Sequence, residues 1–419
     1  MNVIVIGGGA SGMVAAIEAA RKGANVKLIE KGERLGRKIL ATGNGKCNYS
    51  NKDCSEEAYN EDARGFVKTV YSKVSPEETV EFFDELGIYP RLESEGRLYP
   101  ASEQAASVCD ALRFEVERLQ NIEVITQHWI KGLLKRKEGG FYVVSHRNLR
   151  LMAEKVIMAC GGRAGSQYGC EGDGHALAEA LNLEVIEPCP SLVQLTSSED
   201  YFKQLKGVRA KGKVTLIEKD AHGGDPKPVD SEEGEIQFTE FGLSGICIFN
   251  LSGRANRLMH EKKKCSIVID LFPEIEKEAF YEMLKVRQQR SAHKDCEDFL
   301  NGLINKKLIP VVMKGSGVKK LNEKADTITE EQLRMITHKL KAWEVAVSGS
   351  KSWTDAQCTS GGVELSQIDP QTMESKQYPG LYFAGEVLDV DGKCGGYNLQ
   401  WAWSSGILAG RSAAEKEDA

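Results

Sequence analysis

The sequence predicts an α/β fold: a doubly wound, Rossmann-type parallel sheet, split along the chain by an inserted region. Three observations carry this. The first thirty residues read as strand, glycine-rich turn, amphipathic helix and strand. A further buried strand ending in paired glycines follows at KVIMACGG, Lys155 to Gly162. From about residue 352 the glycine-rich style of the first part returns after a long stretch of different texture.

NVIVI at residues 2–6 is a short β-branched run, the mark of a buried strand. Gly7-Gly8-Gly9-Ala10-Ser11-Gly12 follows, then MVAAIEAARKG, an amphipathic helix that stops at Gly23. ANVKLIEK is the second strand, ending in Glu30. Helices are expected near 61–72 and 76–86, the second with Ser75 as N-cap, Pro76 at its first position and an acidic first turn. YPRLESEGRLYP predicts a hairpin turning at Glu95-Gly96, and Ser102 is expected to cap a helix running through Leu119. Strands are expected at 122–126, 130–137 and 141–146.

Residues 191–275 read as an inserted β-rich domain, with alternation in KGKVTLIEK and CSIVIDLF and a polar loop at 222–234. Residues 276–341 read as a small helical domain, with Thr329 and Gln332 forming a capping box, and a strand returns near 342–350. The nucleotide-binding domain is thus expected in two parts, 1–190 and 351–419.

Bulk composition narrows the function. With 419 residues, two or three domains are expected. A net charge of −6 argues against a nucleic-acid binder, which needs a basic surface, while leaving room for a local patch. The eleven cysteines include no C-x-x-C pair, which fits reduced thiols in a cytoplasmic protein and supplies no zinc or iron–sulfur spacing. No metal site is expected, no apolar run has the length of a membrane span, and the fold motif begins too early to leave room for a leader.

Gly7, Gly9 and Gly12 fit G-x-G-x-x-G between strand and helix. The first permits a tight turn, the second lets backbone approach a pyrophosphate, and the third lets helix and strand pack closely. The anion then rests on the helix N-terminus, with Ala10 and Ser11 in its first turn. Glu30, with Lys31 beside it, is placed to accept from a ribose hydroxyl, which favours FAD or NAD over NADP. The tail decides for flavin. LYFAGEVLDVDGKCGGYNLQWAWSSGILAG gives a strand, Gly385-Glu386, an acidic loop with Asp389 and Asp391, and Gly395-Gly396 opening an apolar helix. Such a helix N-terminus can stabilise negative charge on a reduced flavin.

GRKILATGNGKCNYSN, Gly36 to Asn51, is glycine-rich and basic, yet it is no triphosphate loop. Leu40 stands where a Walker sequence needs glycine, and Cys47 where it needs Ser or Thr. Cys47 and Cys54 are too far apart for a dithiol, and Cys47 reads as a packed thiol, with a reactive role left open. The loop follows the ribose acid and offers backbone N–H donors together with Arg37 and Lys38.

GGGASG, GRKILATGNGKCNYSN, GEIQFTEFGLSG, TSGGV, TMESK and GLYFAGEVLDVDGKCGGYNLQWAWSSG occur in order from residue 1 to about 412. Together they resemble the bacterial HI0933-like (BaiN-type) flavoprotein family. The resemblance implies a glutathione-reductase-like FAD domain split by a β-barrel-like domain and a small helical domain. It implies that Arg37, Lys38, Thr42, Gly43, Asn44, Gly45 and Asn48 wrap the FAD, with Ala159, Gly161 and Gly162 as a second glycine contact. It places Trp129 and Ile130 against adenine through their backbone, and Gly385, Glu386, Asp391, Gly396, Tyr397, Asn398 and Leu399 at the late element of the site. Cys358, Ile246 and Cys247 depart from the usual family residues.

The expected activity is an FAD-dependent oxidoreductase taking hydride from NADH or NADPH and passing it to an activated C=C of a small, enone-like substrate of the steroid or bile-acid kind. An amine (aminoacetone-like) oxidase is the alternative, and a flavin redox sensor or RNA-modification partner the second. Tyr397 and Glu386 are the candidate proton donors, with orientation of the cofactor as their other role. KQLKGVRAKGKVTLIEK reads as a solvated strand, and His175 as a packed helix residue. The sequence leaves oligomeric state open.

Overall fold

The computed structural model describes residues 1–219 and 226–415. Residues 222–225 of the expected polar loop and the last four residues lie outside them. The chain forms two compact units, Met1–Cys189 with Gln357–Ala419, and Pro190–Ala356.

In the first unit, five parallel strands stand in the order Leu381–Phe383, Lys155–Met158, Asn2–Ile6, Asn25–Ile29, Ile122–Ile125. This is the Rossmann-type α/β arrangement. Asn2–Ile6 is central because Val3 to Ile6 are apolar on both faces: Val5 pairs with Leu28 on one side and Ile157 on the other, and all three are fully buried. Each such side chain contributes about 1.5–3 kcal/mol by leaving water. Helix Ala10–Arg21 covers this sheet and is itself covered by helix Tyr397–Ala414, which leaves it buried almost all round. The two helices touch backbone to backbone. A Cβ on Gly406 would lie 2.5 Å from the Ser11 carbonyl oxygen, and one on Gly410 2.4 Å from that of Ala15.

Helices Arg64–Tyr71 and Pro76–Glu85 follow the expected pattern, and Ser75 Oγ accepts from Glu78 N at 3.2 Å. Pro90–Leu92 and Arg97–Pro100 pair as a hairpin with both Glu95 and Gly96 at positive φ. One cap differs from expectation. Helix Ala105–Arg118 begins after Gln104, and the Ser102 hydroxyl bonds instead to Ser107 Oγ. Ile130–Lys135, Phe141–Ser145 and Arg150–Ala153 make a separate antiparallel sheet.

The second unit is built on a seven-stranded sheet whose longest members, Val208–Lys219 and Lys227–Phe238, pair antiparallel. The expectation of a loop over 227–234 is therefore corrected. Its acids gain basic partners across the ladder, Lys211 facing Glu235 and Lys213 facing Glu233, which compensates for poor strand composition. Arg209 and Lys206 reach Glu235 and Glu240 at 3.1 and 3.0 Å, so the basic stretch is a charge-paired, solvated surface. Helices Lys277–Arg290, Leu308–Gly315 and Glu330–Lys341 share one core with the sheet, and the Thr329–Gln332 capping box is present in both directions.

Candidate active site

The first turn shows two kinds of glycine. Gly7 has φ of 107°, and a Cβ there would lie 2.3 Å from the Ala159 carbonyl oxygen; a Cβ on Gly12 would lie 1.8 Å from that of Gly7. Both are required by the protein's own packing. Gly9 is different: it has φ of −82° and nothing lies within 4 Å of where its Cβ would be. The fold makes no demand for glycine there, so the open space points to something outside the chain. Ala10 and Ser11 start the helix, whose first N–H groups have no intrahelical acceptor. The Ser11 hydroxyl faces inward, donating to the Ala384 carbonyl at 3.3 Å.

Glu30 stands at the end of the second strand, held by the amides of Gly8 at 2.8 Å and Gly32 at 2.6 Å. Each carboxylate oxygen keeps a lone pair for a further donor. Next to it Lys31 bridges Glu171 and Asp173 at 2.6 and 2.7 Å. Burial works against its charge, but the two acids outweigh this and raise its pKa. Lys31, Gly32, Glu171 and Asp173 line a cleft of about 890 Å³ together with Arg34, Arg37, Gln127, Trp129, His146 and Arg147. Ile130 is buried in the core behind it. The Trp129 carbonyl accepts from His146 N at 2.8 Å, so it is engaged within the hairpin. Sequence reasoning did not select Arg34, His146 and Arg147; the only signal was their basic type next to predicted strand ends.

The opening loop folds through three successive left-handed residues, Gly43, Asn44 and Gly45, with φ of 55°, 54° and 85°. Thr42 anchors it through its hydroxyl to the Ile39 carbonyl at 2.6 Å, and its own carbonyl accepts from Cys47 N at 3.1 Å. Gly45, like Gly9, has an open Cβ side. Asn48 comes against the other end of the chain: a Cβ on Gly396 would lie 2.9 Å from Asn48 Oδ1 and 2.3 Å from the Ser50 carbonyl oxygen. Asn48 Oδ1 is buried and, among the described residues, has no hydrogen-bond donor. A buried orphan acceptor beside a helix N-terminus is uncommon and calls for a ligand.

That N-terminus belongs to Tyr397–Ala414, entered through Gly395 and Gly396 at φ of 142° and 99°. Asn398 ties the preceding loop, accepting from Gly392 N at 2.9 Å and donating to its carbonyl at 2.8 Å. Asp391 exchanges backbone and side-chain bonds with Asn60. Leu399 packs on the core. The Tyr397 carbonyl accepts from Tyr59 OH at 2.7 Å, and burial raises the Tyr397 phenol above its usual pKa.

Lys38 and Glu386 meet each other. Lys38 Nζ lies 2.7 Å from Glu386 Oε2, and Glu386 Oε1 accepts from Thr359 N at 2.9 Å. Burial opposes the charge on Lys38, but Glu386 prevails and holds its pKa above the ordinary lysine value. Thr359, which sequence reasoning passed over within TSGGV, pins the turn after Gly161 and Gly162: its hydroxyl accepts from Arg163 N at 2.8 Å and Ala164 N at 3.0 Å. Arg37 donates to the Gln167 carbonyl at 3.2 Å. Gly385 donates to Ser405 Oγ at 2.9 Å, which joins the late strand to the C-terminal helix.

Cys47 is fully buried, and burial pushes its thiol up to about 12. It is a packed thiol. His175 is buried too, and burial lowers its pKa, which suits a neutral packed ring. None of the eleven cysteines is in a disulfide. Among the described residues no group of three or more His, Cys, Asp or Glu is placed to hold a metal, and no helix is long and apolar enough to cross a membrane.

The residues fit a flavin dinucleotide. Two glycines have open Cβ sides, an acid closes the second strand, and a buried orphan acceptor faces a glycine-led helix. Fold and site define a Rossmann-type, FAD-dependent oxidoreductase. The chain belongs to the HI0933-like family: residues 1–412 match the model described as HI0933-like protein Rossmann domain. It is 36% identical to a 3-dehydro-bile acid delta(4,6)-reductase of Clostridium scindens, over 99% of this chain and 100% of that one. It is 28% identical to a ribosomal RNA dihydrouridine synthase of Escherichia coli, over 96% of each. Among solved structures, a 3-ketosteroid delta1-dehydrogenase of Sterolibacterium denitrificans aligns over 98% of this chain and 99% of that one, with 12% identity and a TM-score of 0.49.

Proposed function

We propose that this protein uses FAD to reduce a C=C bond conjugated to a carbonyl, with NADH or NADPH as the hydride source and an enone-like small molecule of the bile-acid kind as substrate. The observation that carries the reading is the meeting of the loop Thr42–Asn48 with the N-terminus of Tyr397–Ala414, together with a glycine turn left open at Gly9. The direction of the chemistry is supported by the 36% identity to a delta(4,6)-reductase across the whole chain.

When bound, FAD supplies reversible two-electron transfer. In this reading Gly9 and the amides of Ala10 to Gly12 receive the pyrophosphate, Glu30 a ribose hydroxyl, and Gly43 to Gly45 with Asn48 the flavin end. The N–H groups of Tyr397, Asn398 and Leu399 stabilise negative charge at their helix N-terminus. Lys38, Thr359 and Glu386 hold the surrounding turns in register. Tyr397 is the better proton donor of the two candidates. Burial keeps its phenol protonated, whereas both Glu386 oxygens are already engaged. Tyr397→Phe should then lower turnover about 10²–10⁴-fold while FAD stays bound.

A second reading applies the same reduction to uracil in RNA. Dihydrouridine is uridine with its conjugated ring C=C saturated, and the name of the E. coli relative brings that substrate into range. The observation in its favour is a local basic face. On the sheet Ile130–Ala153, Lys131, Arg136, Lys137, Arg147 and Arg150 stand against Glu138 in a chain of net charge −6. There Arg150 stacks 3.6 Å from the Tyr142 ring centre, with Arg136 at 5.3 Å. Such a face suits phosphates and bases.

One experiment tests both. The FAD-loaded protein is bleached anaerobically with NADH or NADPH, then mixed with a 3-keto-4-ene steroid or a uridine-containing ribosomal RNA transcript. Reoxidation by the steroid supports the first reading, and by RNA alone the second. Reoxidation by neither, with reduction by an amine and turnover on oxygen, overturns both in favour of an oxidase.

A further inference from the structure

We propose that Tyr59 and Tyr71 are positioning residues for the flavin: a one-way chain of hydroxyl hydrogen bonds that ends on the Tyr397 carbonyl, polarises the Asn398 N–H and raises the reduction potential of the bound cofactor. The inference rests on the reading that places the flavin end at the N-terminus of Tyr397–Ala414.

The direction of the chain follows from its last member. Tyr59 OH donates to the Tyr397 carbonyl at 2.7 Å. A carbonyl can only accept, so this bond uses the single hydroxyl proton of Tyr59. Tyr71 OH, which meets Tyr59 OH, is then the donor in that contact. Its own proton is thereby engaged, which leaves Cys54 Sγ, 3.9 Å from Tyr71 OH, to donate to it. The order is Cys54 to Tyr71 to Tyr59 to the Tyr397 carbonyl. Burial keeps every proton in place. Tyr59 and Tyr71 are 4% and 9% exposed, and desolvation raises both phenols well above their usual pKa and pushes the Cys54 thiol up to about 12.

The target is one particular peptide group. The Tyr397 carbonyl shares its amide with Asn398 N. Among the described residues, the first amide of this helix with a backbone acceptor is Gln400 N, donating to the Gly396 carbonyl at 3.0 Å. Asn398 N–H is therefore one of the donors left for a ligand. Donation to the carbonyl draws charge from the amide nitrogen, because linked hydrogen bonds strengthen one another by roughly 10–30% each. A stronger donor favours the reduced flavin, the form that carries negative charge.

The surroundings are shaped for these rings. A Cβ on Gly392 would lie 3.0 Å from Tyr59 Cε1 and 2.9 Å from Tyr397 Cβ, so glycine is what lets the two pass. Beside it Asn60 N fastens to the Asp391 carbonyl at 3.0 Å. Tyr59 packs edge-on against Tyr71 and Tyr397, with ring centres 6.1 and 6.3 Å away. Phenylalanine at positions 59 and 71 would fill the same space without the cost of burying hydroxyls.

The test measures the two-electron reduction potential of the FAD-loaded protein against a reference dye under anaerobic conditions. Wild type, Tyr59→Phe, Tyr71→Phe and the double variant are compared, with urea unfolding followed separately. Tyr59→Phe should shift the reduction equilibrium toward the oxidised form by about 2- to 10-fold, the worth of one hydrogen bond, or about 10–30 mV for a two-electron couple. Tyr71→Phe should shift it the same way by less. Because Tyr71 acts only through Tyr59, the double variant should match Tyr59→Phe. Phenylalanine keeps the ring, so a purely structural role would move the unfolding curve and leave the potential unchanged. That result, or additive shifts in the double variant, overturns the relay. Asn48→Asp separates this failure from a failure of the site. A new negative charge beside the helix N-terminus should lower the potential or expel FAD; if it does neither, the flavin end lies elsewhere and the reading of the site falls with the relay.

Discussion

Lys38 Nζ and Glu386 Oε2 lie 2.7 Å apart although 348 positions separate them in the chain. The pair is partly screened, with 27% and 20% of the side chains exposed. Removing one partner leaves a half-buried charge, a loss between the small effect at a surface and the large one in a core. Glu386→Gln should destabilise the protein by about 1–3 kcal/mol in urea unfolding. The exchange Lys38→Glu with Glu386→Lys should regain part of it. Because the folded state raises the Lys38 pKa above its ordinary 10.5, the contribution is complete below that pH and fades as pH rises past it. The stability difference between wild type and Glu386→Gln should therefore narrow above about pH 10.5. A constant difference would mean the pair acts through packing.

Gly9 separates fold from cofactor. Nothing stands near its absent Cβ, so Gly9→Ala should unfold within about 0.5 kcal/mol of wild type. A methyl group in the path of a pyrophosphate should weaken FAD by about 5- to 150-fold, the effect of modest overpacking. If the variant purifies with a full complement of FAD, the pyrophosphate lies elsewhere.

Cys47 should be inert in the native state. With its thiol near 12 it stays protonated at pH 8, and iodoacetamide followed by mass spectrometry should leave it unlabelled until denaturant is added. Between the ordinary thiol value of 9 and about 12 only the unfolded chain releases this proton, so the site contributes less stability as pH rises through that window.

The Gly406 and Gly410 contacts leave no room for a side chain. Gly410→Val should force the C-terminal helix off Ala10–Arg21 and cost about 1–3 kcal/mol or more, the usual range for overpacking. Loss of FAD should accompany it, since the same helix begins at Gly396. Retention of both stability and cofactor would show that the helices have slack.

What could be read from sequence was local. The turn at Gly7 to Gly12, the Ser75 cap and the Thr329–Gln332 box each draw their signal from neighbouring residues, and the structure has them. Ser102 carried a cap signal, but the helix starts at Ala105 and the hydroxyl took a different partner. Residues 227–234 read as loop because their acidic residues suit no isolated strand; the lysines that make them one lie across the ladder. Lys38–Glu386 and Thr359 with the turn after Gly162 were hidden for the same reason. Each joins segments hundreds of positions apart, and no periodicity encodes such a partner.

The contact between Ser11 and Gly406 also orders events during synthesis. The glycine turn emerges before the inserted unit, and the helix that covers it and the Gly396 entrance emerge after it. While the ribosome is at work the N-terminal half holds an uncovered helix and an unfinished cradle, and the inserted unit has time to fold alone. On the proposed site, cofactor loading therefore waits for helix Tyr397–Ala414, and a truncation that removes this helix should abolish FAD binding.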